Sequence, residues 1–227
     1  MLSSIQNIYQ QAVGCDDCFV KDSYKMTRGK ISKAQPRWIG KNYFSSKKRV
    51  CVMAINPGNV GNRSSYGQRH AAEEFQNHIE NFANDQNSWS EMMRFIENDM
   101  HNWGGGRYKK FYFDLMGLDL NEVAMMNMML CSATNKNGKG NNYSKDTLMN
   151  CYERFTKRIL IELNPNFIIL SGTLVQNAMK KFTKSLLEVL PNTEIINTFH
   201  YRPQLQRDWE KADKDAEHIN NYLFSKF

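Results

Sequence analysis

Four short apolar runs limit what this chain can fold into. They are Arg49-Val50-Cys51-Val52-Met53-Ala54-Ile55, a stretch at about 122–127, Asn166 to Leu170, and Glu194 to Thr198. Each is bounded by turn formers such as Asn56-Pro57-Gly58 and Ser171-Gly172. Short, mostly apolar runs of this kind read as strands buried on both faces. Helices are expected between and around them, at about 3–13, 71–84, 89–101, 107–116, 145–163, from Thr173 onward, and 207–224. Ser88-x-x-Glu91 and Thr173-x-x-Gln176 have the spacing of capping boxes. Residues 19–48 read as irregular, and Gly104-Gly105-Gly106 as a break. Buried strands alternating with helices predict a three-layer α/β/α sandwich around a four-stranded, mainly parallel sheet. No repeat or linker divides the chain, so residues 1–227 are expected to form a single domain.

Composition narrows the class. Apolar residues make up 41% and aromatic residues 12%, which is globular rather than disordered. No apolar run approaches the ~20 residues that cross a bilayer, so no membrane partner is expected. Met1-Leu2-Ser3-Ser4-Ile5-Gln6-Asn7 lacks the basic start and apolar stretch of a signal peptide, and a cytoplasmic location is expected. Thiols stay reduced there, and paired cysteines more often bind metal or do redox chemistry than form disulfides. The net charge is +7, with ten Lys/Arg against the single acid Asp22 between Lys21 and Arg49. Tyr24, Trp38, Tyr43 and Phe44 are interleaved with these cations. A basic segment with aromatics suits a phosphate backbone, and Lys47, Lys48 and Arg49 are its DNA-binding candidates; a solvated basic loop has the same composition.

Three polar residues fall at or just past predicted strands: Asn56, Asn127 and His200. In an open α/β sheet, ligands bind in the crevice at the carboxyl ends of the strands. Parallel strands bring all three residues to one edge. The cysteines form a second pattern. Cys15 and Cys18 make a C-x-x-C pair, followed by Cys131 and then Cys151 in a predicted helix. Four thiolates can hold a 4Fe–4S cluster or a structural zinc ion. Cys51 lies within a strand and reads as core.

These residues resemble the uracil-DNA glycosylase superfamily. Met53-Ala54-Ile55-Asn56-Pro57-Gly58 looks like its first motif, in the Ile-Asn-Pro-Gly form of mismatch-specific glycosylases. His200-Tyr201-Arg202-Pro203 resembles the second motif, usually His-Pro-Ser. Asn127 followed by Cys131, with Cys15, Cys18 and Cys151 in order, resembles the iron–sulfur branch, which usually carries Glu where this chain has Asn56. The aromatic that stacks on the base is expected near Gln68, and Tyr66 and His70 are the nearest candidates.

The resemblance implies a DNA glycosylase that hydrolyses the N-glycosidic bond of uracil or a modified pyrimidine flipped out of DNA. It implies a catalytic Asn56 and His200, a base pocket with Ile55, Tyr66 and Asn127, and a cluster on Cys15, Cys18, Cys131 and Cys151. Breaking that bond leaves positive charge on the sugar and negative charge on the base. An amide such as Asn56 can hold a water without titrating. A histidine can donate to a pyrimidine oxygen as charge develops there. Arg202 beside His200 is a further candidate contact to DNA, with an exposed surface arginine as the plain reading. The chain is expected to act as a monomer. A specialised enzyme for modified bases of foreign DNA such as phage DNA, and a non-catalytic nucleic-acid-binding protein of the same fold, are the alternatives.

Overall fold

The structure, a computed structural model, describes residues 1–20, 27–28, 31–57, 66–103, 105–134, 143–201 and 208–226, with no account of the side chains of 27–28, 66–71 and 133–134. Two sheets form among them. β1 (Thr27–Arg28) pairs antiparallel with β4 (Ala133–Thr134). β2 (Val50–Ala54), β3 (Val123–Asn127), β5 (Phe167–Ser171) and β6 (Glu194–Thr198) make a four-stranded sheet in the order β3-β2-β5-β6. All four strands run parallel, in the α/β sandwich class that the alternation predicts. Val50 lies opposite Phe167 and Phe167 opposite Glu194, so the three strands start level.

The chain forms two compact units, each drawn from three stretches. One comprises Met1–Arg37, Asn56–Ile96 and Asn127–Leu163; the other comprises Trp38–Ile55, Glu97–Met126 and Asn164–Phe227.

The first unit is mainly helical. α1 (Leu2–Val13) buries Ile5, Ile8, Tyr9, Ala12 and Val13, the 3–4 spacing of one helix face. That face packs against α3 (Tyr66–Asn84) and α7 (Lys157–Leu163). Trp89, at the start of α4 (Trp89–Met100), meets the rings of Tyr9 and Phe82 at 5.8 and 5.2 Å. The short α2 (Asp17–Val20) carries Cys18. α6 (Lys145–Cys151) starts where the Ser144 hydroxyl accepts the Thr147 N–H at 3.1 Å. It runs into α7 through a π-helical turn, Tyr152–Thr156, where the Thr156 hydroxyl donates to the Met128 carbonyl at 2.8 Å.

The second unit holds the sheet. Val50–Met53, Val123–Met126 and Phe167–Ser171 are buried. β3 is an outer strand of its sheet, and residues 38–42 run antiparallel beside it. The Met125 N–H donates to the Trp38 carbonyl (2.8 Å), and the Gly40 N–H to the Val123 carbonyl (2.9 Å). This pairing covers an edge that would otherwise offer unpaired backbone groups. β6 is the other outer strand, and its exposed Glu194 and Asn197 account for its less apolar composition. α5 (Arg107–Lys109) continues into a π-helical turn, Lys110–Leu115, against which α10 (Trp209–Ser225) packs. α8 (Thr173–Met179) and α9 (Thr183–Leu187) lie between β5 and β6 in the chain, two helices where one was expected from Thr173 onward.

Neither predicted capping box forms as written. A 3-10 turn, Gln86–Ser88, precedes α4, and it is the Asp85 side chain that caps it by accepting the Asn87 N–H. Gly172, not Thr173, is the residue before α8, at φ +95°. Gln176 instead donates its side-chain amide to the carbonyls of Leu170 (3.2 Å) and Thr198 (2.7 Å), tying the ends of β5 and β6 together. A local spacing rule cannot anticipate this, because the strand-end carbonyls compete for the same side chain only once the sheet is assembled.

Gly40 is a position where no side chain fits. A Cβ there would lie 2.2 Å from the Asn121 carbonyl oxygen and 2.8 Å from that of Leu120, both backbone atoms. Gly40→Ala is expected to cost about 2 kcal/mol, the scale of overpacking a tight site, and urea unfolding of the variant checks it.

Candidate functional site

Because the strands are parallel, β2, β3 and β6 end at one edge of the sheet. Asn127 closes β3, Asn56 follows β2 by two residues, and His200 follows β6 by two. Within β2, β3 and β5, side chains are almost all committed to the core. The strand ends are where polar groups can be presented.

In the helical unit, Asn56 and Asn127 belong to one buried polar network, and they are 7% and 5% exposed. Its centre is Arg37, itself only 9% exposed. With the Asn127 amide assigned the orientation that its neighbours satisfy, the Arg37 Nε–H donates to the Asn127 side-chain oxygen at 2.7 Å, and the Asn127 amide nitrogen donates to the Asn56 carbonyl at 3.3 Å. A second arm starts from the Arg37 Nη2, which donates to Gln35 Oε1 at 3.2 Å. Gln35 Nε2 donates to the Ser132 hydroxyl (2.8 Å), which donates to the Pro57 carbonyl (3.2 Å). Both arms therefore end on consecutive carbonyls, those of Asn56 and Pro57. The Asn56 side-chain Nδ2 is different: it is buried and has no hydrogen-bond partner among the described residues. A buried amide N–H left in that state costs roughly 1–3 kcal/mol, which a bound acceptor, or one outside the described residues, would offset.

In the sheet unit, His200 is half-buried and held from three sides. A Cβ on Gly172 would come within 3.1 Å of the His200 Cβ, so only glycine lets the backbone of that turn approach so closely. Asp215 accepts from the Thr198 hydroxyl (2.6 Å) and from the Phe199 N–H (3.2 Å). Arg107, buried and paired with Asp213, donates its Nε–H to the Tyr201 carbonyl at 3.0 Å. The Tyr201 ring lies 4.3 Å from the His200 ring and 5.0 Å from that of Tyr108. Behind this turn, the Tyr112 hydroxyl and Ser171 Oγ share a hydrogen bond of 2.5 Å. Burial pushes the Tyr112 phenol well above its usual range, so it stays protonated.

The remaining predicted residues fall elsewhere. Ile55 is half-buried directly after β2. Lys47, Lys48 and Arg49 precede β2, at the amino ends of the strands, whereas His200 follows β6 at the carboxyl ends. The Lys48 ammonium sits 4.5 Å from the centre of the Phe224 ring, and Arg49 Nε donates to the Asn164 carbonyl at 2.8 Å. Gly58, the side chains of Tyr66 and His70, and Arg202 and Pro203 lie outside the described residues. Arg37, Gln35 and Ser132 were not singled out by the sequence. Arg37 looked like one more cation of the basic segment, and nothing in its neighbours distinguishes a buried arginine from an exposed one.

The four cysteines of the predicted metal set line one cavity in the helical unit, with Ala12, Ala34, Leu130 and Phe155 between them. Three groups donate to their sulfurs, the Leu130 backbone N–H to Cys151 (3.3 Å), Arg154 Nη1 to Cys15 (3.5 Å) and the Asn150 side chain to Cys18. Arg154 also pairs with Asp17. Burial pushes the Cys151 thiol up to about 12, with Cys18 and Cys15 adding to it. Burial, then Cys15, raises Cys18 as well. As free thiols Cys18 and Cys151 keep their protons; a cation within the cavity would favour their ionised forms. Among the described residues, no three His, Cys, Asp or Glu side chains form a ready-made ligand set for a metal ion. The donor chemistry fits a thiolate-bound metal group: four sulfurs, a wall that is apolar apart from Asn150, and hydrogen-bond donors on three sulfurs. Cys51 lies in β2 as a core residue, its thiol pushed well up by burial.

No family model matches the chain, and no curated protein matches it. Among the described residues, no helix is long and apolar enough to cross a membrane.

Gly172→Ala tests the seating of His200. The added methyl meets His200 in a backbone conformation that alanine tolerates poorly, so a loss of about 1–2 kcal/mol is expected. The imidazole resonances of His200 should shift, while unchanged resonances would mean that the turn is not held by this contact.

Proposed function

We propose that this protein is a DNA glycosylase that releases a pyrimidine base, uracil or a modified form of it, by hydrolysing the N-glycosidic bond. The observation that carries the reading is the buried Asn56 Nδ2, which has no hydrogen-bond partner among the described residues, on a residue just beyond a parallel strand whose carbonyl joins a polar network with Asn127. The resemblance of residues 53–58 and 200–203 to the two glycosylase motifs supports it.

Asn56 holds the attacking water through its amide. It does so without a titratable proton, so the nucleophile is positioned rather than ionised. Asn127 meets the edge of the base. Its amide has a second N–H and a second lone pair beyond those used by Asn56 and Arg37, enough for one donor and one acceptor contact. His200 donates to the pyrimidine O2 as negative charge develops on the departing base. The nucleotide must leave the stack to reach these groups, at a cost of a few kcal/mol. The net charge of +7 favours a nucleic-acid partner. Cys15, Cys18, Cys131 and Cys151 hold a 4Fe–4S cluster, whose contribution is structural, since base excision transfers no electron.

Two outcomes check this. Single-turnover release from oligonucleotides carrying a panel of modified pyrimidines, read by alkaline cleavage at abasic sites, should show activity. Asn56→Ala should nearly abolish it with DNA binding retained, and His200→Ala should slow it by roughly 10²–10³, the worth of one oxyanion-hole donor. Wild-type rates in both variants would sink the assignment, and an inactive wild type across the panel would favour a binding protein. Purified protein should also be brown, with iron and acid-labile sulfide, and Cys131→Ser or Cys151→Ser should lose both. Stoichiometric zinc in a colourless protein would replace the cluster with a four-thiolate zinc site.

A further inference from the structure

We propose that Arg37 is a specificity-determining residue: it locks the Asn127 amide in one orientation and so fixes the order of donor and acceptor that a base meets. This assignment rests on the glycosylase reading of the site.

The two ends of an asparagine amide are nearly identical in shape and opposite in hydrogen bonding. An amide free to turn over can serve two kinds of pyrimidine edge. A 4-keto pyrimidine such as uracil offers an N3–H donor and an O4 acceptor. A 4-amino pyrimidine such as cytosine offers an N3 acceptor and an amino donor. Turning the amide over exchanges one preference for the other, so a free Asn127 discriminates poorly.

Asn127 is not free. In the one orientation that satisfies both neighbours, its oxygen accepts from Arg37 Nε (2.7 Å) and its nitrogen donates to the Asn56 carbonyl (3.3 Å). Turning it over would set NH₂ against a guanidinium N–H and oxygen against a carbonyl oxygen, two conflicts in a site that is 5% exposed. The contact from Arg37 is the stronger of the two restraints because the donor is charged. Arg37 is held in turn. Its Nη2 donates to Gln35 Oε1 (3.2 Å), and Gln35 is fixed through its own N–H to the Leu130 carbonyl (2.8 Å) and through Nε2 to Ser132 (2.8 Å). The guanidinium is therefore a fixed reference for the amide. Arg37 need not touch the base for this, so it is a positioning residue and Asn127 the reader.

The test is base release from matched oligonucleotides carrying 4-keto and 4-amino pyrimidines, as the ratio of single-turnover rates, in wild type, Arg37→Met and Arg37→Lys. Wild type should discriminate strongly. Arg37→Met removes the donor but keeps much of the side chain's bulk, and the ratio should fall about tenfold or more. Arg37→Lys keeps a cationic donor and should retain most of the ratio. It also keeps the question decidable if the methionine variant fails to fold, because in a folded Arg37→Lys a ratio no better than that of Asn127→Ala overturns the proposal. A second readout does not need activity. The Asn127 side-chain NH₂ protons, followed by NMR, should exchange slowly with solvent in wild type and much faster in Arg37→Met. An unchanged ratio in an active, folded Arg37→Met, or fast exchange already in wild type, overturns the role of Arg37 and leaves the glycosylase reading standing. A wild type that releases no base from any substrate overturns the glycosylase reading itself, and this assignment with it.

Discussion

Three of the four parallel strands, β2, β3 and β5, are buried along almost their whole length, and they leave a polar side chain little place except at a strand end. The rest of the site follows from that constraint. Val50 to Met53, Val123 to Met126 and Phe167 to Leu170 give every side chain to the core. Asn56, Asn127, Thr198 and His200 stand at or beyond the carboxyl termini, where the backbone stops pairing with its neighbours. A chemically active group in such a fold must be a strand-end residue or be carried by the loop that follows.

Strand ends also expose backbone carbonyls, and the chain satisfies them with buried side chains. Gln176 reaches the carbonyls of Leu170 and Thr198. In the helical unit, the two arms of hydrogen bonds from Arg37 finish on the carbonyls of Asn56 and Pro57. A buried guanidinium is costly to desolvate and is retained only where its N–H groups find acceptors. Once they do, the network is rigid, because every member loses a partner if one moves. Among the described residues, the Asn56 Nδ2 has no partner, in contrast to that network.

The thiol cavity and this network share a backbone. Ala34 bridges Cys131 in an antiparallel contact, and the next residue, Gln35, takes the Leu130 carbonyl. Residues 34–37 and 127–132 are thus braced together, with sulfur chemistry on one side and amide chemistry on the other.

The sequence by itself determined the sheet. Apolar runs of strand length separated by helices admit few arrangements, and the four strands lie within a residue or two of where their hydrophobicity places them. It also picked out Asn56, Asn127 and His200, because a polar residue after a buried strand is conspicuous in one dimension. The cysteine pattern was legible for the same reason: spacing is a local property. Only the tertiary structure decided the partners. Arg37 is indistinguishable in sequence from Lys33 or Lys41, and it is the fold that buries it between Gln35 and Asn127. Lys48 and Arg49 read as free cations, and the fold sets one over Phe224 and the other against the Asn164 carbonyl. Gly172 is an ordinary turn glycine until His200 approaches it from 28 residues away. Hydrophobic period is written along the chain, whereas the partner of a polar group is set by residues far from it in sequence, which only the assembled fold brings within hydrogen-bonding distance.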